Sequence, residues 1–266
     1  MIGAAPVQIV VLVKQVPCAP SRATFAADLT TERAGAPARL DPADEYAMDQ
    51  ALGVARRRRD VQITAVTMGP AGAVAALRKT LALGADEAVH VLDDGLPGSD
   101  ALATSRVLAA AVERLGFDLV LCGCASSDSG LSAVPAMVAE RLGVPALCFA
   151  DTLTVRERKV EIARDDGDGL QAFAAALPAV VSVTARCGEP RVRTYVATAD
   201  ARQKLIRTWS LADLGIDPAR VGRRGAATVV RRIAPGAGGR TRLVLADDPT
   251  VAAVRLADFL AEHQFL

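Results

Sequence analysis

At 266 residues the chain can bury the core of one large α/β domain with a tail. Its 31 Lys and Arg nearly balance 30 Asp and Glu, and a net charge of +1 gives no electrostatic argument for nucleic-acid binding, which needs a basic face. Mean hydropathy is +0.27, yet no uncharged apolar run reaches the roughly 18 residues of a membrane span and no basic leader follows Met1, so a cytoplasmic protein without membrane insertion is expected.

Residues 7–13 (VQIVVLV) form a short, almost continuous apolar run, as expected of a strand buried on both faces of a parallel sheet. From Pro17 to Asp41 the sequence loses periodicity, which predicts a long surface excursion with hairpin character. Asp41 and Pro42 then read as a helix cap and first-turn proline, with Asp44 and Glu45 in the first turn and the basic run 56–59 at the solvated far end. A β-α-β rhythm follows: strand 61–68, turn Gly69-Pro70, helix 71–83 ending at Gly84, strand 87–92, helix 99–115, strand 118–122, loop 123–130 and helix 132–142.

Strands alternating with helices in this way predict a doubly wound, mainly parallel sheet. After Pro145 the period shortens at 152–155, 159–163 and 172–176, predicting a small antiparallel extension before residues 179–183 return to the core. From Arg186 the chain has few long apolar runs, a Gly-rich break at 236–239 and a final amphipathic helix over 250–263. The expected organisation is therefore a nucleotide-binding-type α/β domain over 1–190 and an extended C-terminal arm over 191–266 that packs on a partner.

Five cysteines without a C-x-x-C pair, and only His90 and His263, argue against a disulfide framework, a metal site and hydrolase schemes that need a positioned imidazole. Cys122 and Cys124 read as small packing residues at a strand end. Ligands of open parallel sheets sit beyond the carboxyl ends of the strands, where amides and helix N-termini meet phosphate. Three loops qualify: the one after Val13, the turn at 68–72 and above all Gly123-Cys124-Ala125-Ser126-Ser127-Asp128-Ser129-Gly130. No G-x-G-x-x-G or P-loop motif occurs, so neither a dinucleotide fingerprint nor a Walker site applies.

Lys14 after the first strand, LDPADE at 40–45, AVTMGP at 65–70, LALGAD at 81–86, DLVLCG at 118–123 and the stretch from Arg164 through Gly169-Leu170-Gln171 to LPAVV at 177–181 follow one another in order. With Glu189-Pro190-Arg191 and Asp213-Leu214-Gly215, this series resembles the β subunit of electron transfer flavoprotein over residues 7–217. The resemblance implies an adenine nucleotide α-hydrolase-like fold and a heterodimer whose α subunit holds most of the redox-active FAD. It further implies an AMP, or a second FAD, in the β subunit. Partners would be flavin dehydrogenases of the acyl-CoA or another type, and a quinone reductase as acceptor. The residues themselves leave a second reading open, a stand-alone adenine-nucleotide-binding sensor of similar fold.

Carried onto this chain, the nucleotide contacts fall on the backbone near Leu12, on Asp41 and Pro42, on Met68, and on Gly123 with Ser126, Ser127, Asp128, Ser129, Gly130 and Ser132. Leu131, Ala133 and Pro135 stand where the family carries polar side chains, and Asp41 stands where some members have Asn. Ser126, Ser127, Ser129, Ser132 and loop amides remain as donors. Partner docking is expected at Asp165, Arg191 and Tyr195, with Tyr195-Val196 replacing the family's usual Leu-Pro pair.

Overall fold

The N-terminal apolar run forms β1 (Val7–Leu12), which lies between β4 (Val61–Met68) and β6 (Leu119–Gly123) and pairs parallel with both, Ile9 opposite Ile63 on one side and Leu119 on the other. That central position explains why its side chains are apolar on both faces: Ile9 and Val11 join one buried cluster, Val10 and Leu12 the other. In this computed structural model residues 6–18, 24–32, 37–190, 195–234, 248–263 and 265 are described.

The first cluster is closed by α1 (Pro42–Arg57) through Ala47, Met48 and Ala51, and by α2 (Val74–Leu83) through Ala76, Leu77 and Leu81. The second is closed by α3 (Ala101–Leu115) through Ala103, Val107 and Ala111, and by α4 (Val134–Leu142) through Val138 and Ala139. Helices therefore cover both faces, the doubly wound arrangement read from the sequence. α1 begins as expected, with Asp41 capping through Ala43 N and Pro42 in the first turn, and ends with Arg56 and Arg57 in the last.

With β5 (Glu87–Val91), β7 (Ala146–Ala150), β11 (Ala179–Val183) and β12 (Ile206–Trp209) the main sheet has seven strands in the order β12-β5-β4-β1-β6-β11-β7, parallel throughout. The antiparallel pairs are confined to separate sheets: β2 (Gln15–Pro17) with β3 (Ala38–Leu40) makes the hairpin expected in the 17–41 excursion, and β8 (Thr152–Arg156), β9 (Lys159–Asp165) and β10 (Leu170–Ala176) make a three-stranded sheet.

Two edge strands, β7 and β12, are absent from the sequence reading. Each is four or five residues long and only partly buried, so neither carries the apolar run that marked the central strands. β12 also moves the end of the domain. The α/β unit continues through Val230 instead of stopping at 190, because Ile206–Trp209 pairs with β5, while α5 (Tyr195–Gln203) packs Ala201 into the first cluster. The segment then contributes Leu211 and Val221 to the second cluster. The short α6 (Gly222–Gly225) lies near the end of the α/β unit; residues 231–266 form a second unit that contains α7 (Pro249–Glu262), capped by Asp248 and without a buried residue.

Candidate functional site at the sheet switch point

The chain passes from β1 to β4 and β5 on one side and returns to β6 on the other side of β1, so the loops after β1 and β6 diverge and leave a crevice. Into it project Lys14 after β1, the start of α1, and the 123–130 loop after β6. Leu12 ends β1 and Met68 ends β4, so the carboxyl ends carrying Leu12, Met68 and Gly123 are side by side, stitched by the Val13 amide on Val66 O (2.8 Å) and Thr67 Oγ1 on Val13 O (2.8 Å).

Asp44 is the hinge of the crevice. It is buried, with one carboxylate oxygen accepting from Lys14 N at 2.7 Å and the other from Gly123 N at 3.2 Å. Gly123 is required there by proximity: a Cβ would lie 2.7 Å from Ala43 Cβ and 2.9 Å from Asp44 Oδ1. Burial, and secondarily the Asp41 carboxylate, push Asp44 up to about 8, against the pull of the two amide bonds.

Asp41 is buried too and does two things. Oδ1 caps α1 through Ala43 N at 3.1 Å, and Oδ2 accepts from Ser127 N at 2.7 Å and Ser127 Oγ at 3.2 Å. Lys14 Nζ pairs with Asp128 at 2.6 Å and donates to Ser126 Oγ at 3.2 Å and Ser129 Oγ at 3.3 Å, while Ser126 and Ser129 bond each other at 2.7 Å. The Gly130 amide closes the loop on Ser126 O.

Three of the serines predicted to face phosphate are thus engaged by the chain's own Asp41 and Lys14. Gly130 and Ser132 both adopt positive φ, 61° and 59°, bending the chain into α4. That helix is preceded by Ala133 at its N-cap without a side-chain cap and has Pro135 in its first turn, so its positive end is left to backbone amides, while Ser132 Oγ donates to Gly130 O at 3.5 Å. Pro135 has no N–H, so the donors of this first turn are the amides of Val134 and Ala136, whereas Ser126, Ser127 and Ser129 are already bonded within the chain beside Asp41, Asp128 and Lys14.

Three of the thiols, Cys122, Cys124 and Cys187, are held above their ordinary range. Burial, then the Asp44 charge, push Cys122 up; burial raises Cys124, and burial with Asp151 raises Cys187 to about 11. Among the described residues no His, Cys, Asp or Glu group could hold a metal ion, and no helix is long and apolar enough to cross a membrane.

The docking residues lie elsewhere. Asp165 ends β9, where it accepts from Gly167 N at 3.0 Å and stands 3.7 Å from Arg186. Tyr195 opens α5, and Arg191 lies outside the described residues. The structural roles of Lys14 and Asp44 were not read from the sequence. A lysine directly after an apolar strand, and two acids three apart at a helix start, are the signals that could have found them.

A family model for the electron transfer flavoprotein domain matches residues 28–214. The chain belongs to the electron transfer flavoprotein family. It is 38% identical over 229 residues to the electron transfer flavoprotein subunit beta of Mycobacterium leprae, covering 84% of this chain and 86% of that protein. The Mycobacterium bovis subunit beta is 36% identical over 233 residues (85% of this chain, 88% of that protein) and the Megasphaera elsdenii one 34% over 256 residues (93% and 95%). The electron transfer flavoprotein match runs beyond residue 190 and takes in β12, in keeping with the extent of the α/β unit.

Proposed function

We propose that this chain is the β subunit of a heterodimeric electron transfer flavoprotein, supporting an FAD held mainly by an α subunit, receiving electrons from a flavin dehydrogenase of the acyl-CoA or another type, and passing them to an acceptor such as a quinone reductase. The observation that carries the reading is the match to electron transfer flavoprotein β subunits over 84–93% of the chain. FAD supplies the electron chemistry when bound. The chain's own residues bind and position: no side chain acts as catalyst in this reading, which makes the protein an electron-carrier subunit.

An adenine nucleotide, AMP or a second FAD, would place its phosphate on the first-turn amides of α4 with Ser132, and its adenosine over the strand ends at Leu12 and Met68. Asp41 and Asp44 act one step back by holding the loop and the β6 end in place. Asp165, Arg191 and Tyr195 are proposed to meet partners. Residues 231–266 serve as an arm on the α subunit, consistent with exposed Val251, Val254, Leu256 and Phe259 on α7.

Co-expression with an α subunit tests the proposal: a one-to-one complex carrying FAD is expected. A stable, flavin-free monomer that ignores such a subunit and binds AMP by calorimetry would overturn it in favour of a stand-alone sensor. Acid release and chromatography of the complex would then identify the β-site nucleotide, FAD alone at one per heterodimer meaning that the cradle takes none.

A further inference from the structure

Two basic segments far apart in the sequence meet at the amino ends of the strands. The first is Arg56-Arg57-Arg58-Arg59, which closes α1 and leads through Asp60 into β4; the second is Arg156-Glu157-Arg158-Lys159, the turn from β8 to β9. Arg58 joins them, its Nη1 donating to Glu157 O at 2.9 Å while Nη2 pairs with Asp60 at 2.8 Å. Arg158 pairs with Asp118 at 3.1 Å, and its carbonyl accepts from Leu177 N at 2.8 Å. Asp118 also accepts from Gln8 N at 3.0 Å, and Val7 N donates to Asp60 O at 2.6 Å, so both segments are tied to the first residues of β1. The cluster therefore sits at the end of the sheet opposite Lys14, Gly123 and the switch-point crevice.

Acids do not match these cations. Arg58, Arg158 and Lys159 have salt bridges to Asp60, Asp118 and Glu161, whereas Arg56, Arg57, Arg59 and Arg156 are exposed and, among the described residues, form none. The dipole of α1 accounts for Arg56 and Arg57 in its last turn, but not for Arg59 beyond the helix or for cations on the turn of a separate hairpin. Since the whole chain carries only +1, the surplus is local, and like charges gathered in this way favour an anionic surface against them. No large apolar side chain is exposed over residues 53–62 or 152–162. Protein interfaces are centred on apolar and aromatic anchors, which this cluster lacks; anionic headgroups ask only for cations at the surface.

We infer that this cluster is a docking surface for an anionic lipid bilayer, on which the protein adsorbs by the amino-end face of its sheet without inserting. The planar guanidinium donates two parallel N–H groups to phosphate oxygens, and four such groups at Arg56, Arg57, Arg59 and Arg156 are not held in salt bridges by the described residues. Adsorption of this kind needs no crossing helix, and no helix of the described residues is long and apolar enough to be one. It leaves the carboxyl ends of the strands, with the crevice, turned away from the bilayer.

The test is cosedimentation of the full-length protein, with its α subunit where the two purify together, on vesicles of phosphatidylglycerol in phosphatidylcholine at low ionic strength. Binding is expected to these vesicles and not to phosphatidylcholine alone, and it is expected to be lost in high salt. Arg59→Gln combined with Arg156→Gln is expected to weaken it by about twentyfold, about fivefold for each arginine. Both side chains are exposed, so the variant is expected to keep the parent's circular dichroism. Arg220→Gln combined with Arg224→Gln removes the same charge from exposed positions elsewhere and is expected to change binding by less than about twofold. No binding to the anionic vesicles, or an equal loss in the two double variants, would overturn the inference. Retention on immobilised polyglutamate without vesicle binding would overturn it as well and assign the cluster to an acidic polypeptide.

Discussion

Asp44 is enclosed between the start of α1 and the end of β6, with one oxygen on the Lys14 amide and the other on the Gly123 amide. Its carboxyl is raised to about 8 in the fold against 3.8 in the unfolded chain, so between those values the native state holds a proton that the unfolded state has lost. The contribution to stability is full below about pH 4, falls as pH rises from there to about 8, and is level above. Urea midpoints at pH 5, 7 and 9 should show this fall in the parent and lose it in Asp44→Asn; identical slopes in the two would refute it. Gly123→Ala forces a methyl against Ala43 and Asp44 and is expected to cost about 1–3 kcal/mol by chemical denaturation. Asp41→Ala removes both the α1 cap and the Ser127 tether, with an expected loss of about 1–3 kcal/mol and faster hydrogen exchange at the Ser127 amide.

Among the elements, β12 shows how a short strand can be decided by its neighbours. IRTW has little periodicity to advertise it, yet it pairs along β5 from Ala88 to Val91, and its Trp209 is covered by Arg114 at 4.9 Å and packs against the second cluster. Trp209 is the chain's one tryptophan, so its fluorescence reports this strand alone. In urea the fluorescence transition is expected to coincide with that of far-UV circular dichroism; an earlier fluorescence transition would mean that β12 belongs to a separate arm. The central strands needed no such help. Residues 7–12, 61–68 and 119–123 are buried on both faces, and that demand writes an apolar run into the sequence itself.

At the scale of the molecule the chain divides after Val230, and the second unit's helix buries none of its residues within the chain. A chain ending at Val230 is therefore expected to keep its thermal midpoint to within about 2 °C, a change below about 1 kcal/mol, while binding the α subunit more weakly. A larger drop in midpoint would show that residues 231–266 stabilise the α/β unit directly.

The sequence by itself determined the alternation of strands and helices, the capped start of α1 at Asp41-Pro42, and the position of the 123–130 loop, because burial periodicity, capping and loop chemistry are local properties. The tertiary structure alone decided which donors that loop keeps. Ser126, Ser127 and Ser129 look available along the chain, but Asp41 and Lys14 reach them across 86 to 115 residues and take up their hydroxyls or amides. Long-range pairing of charge with amide and hydroxyl has no period and no spacing, so only the folded sheet could bring those partners together.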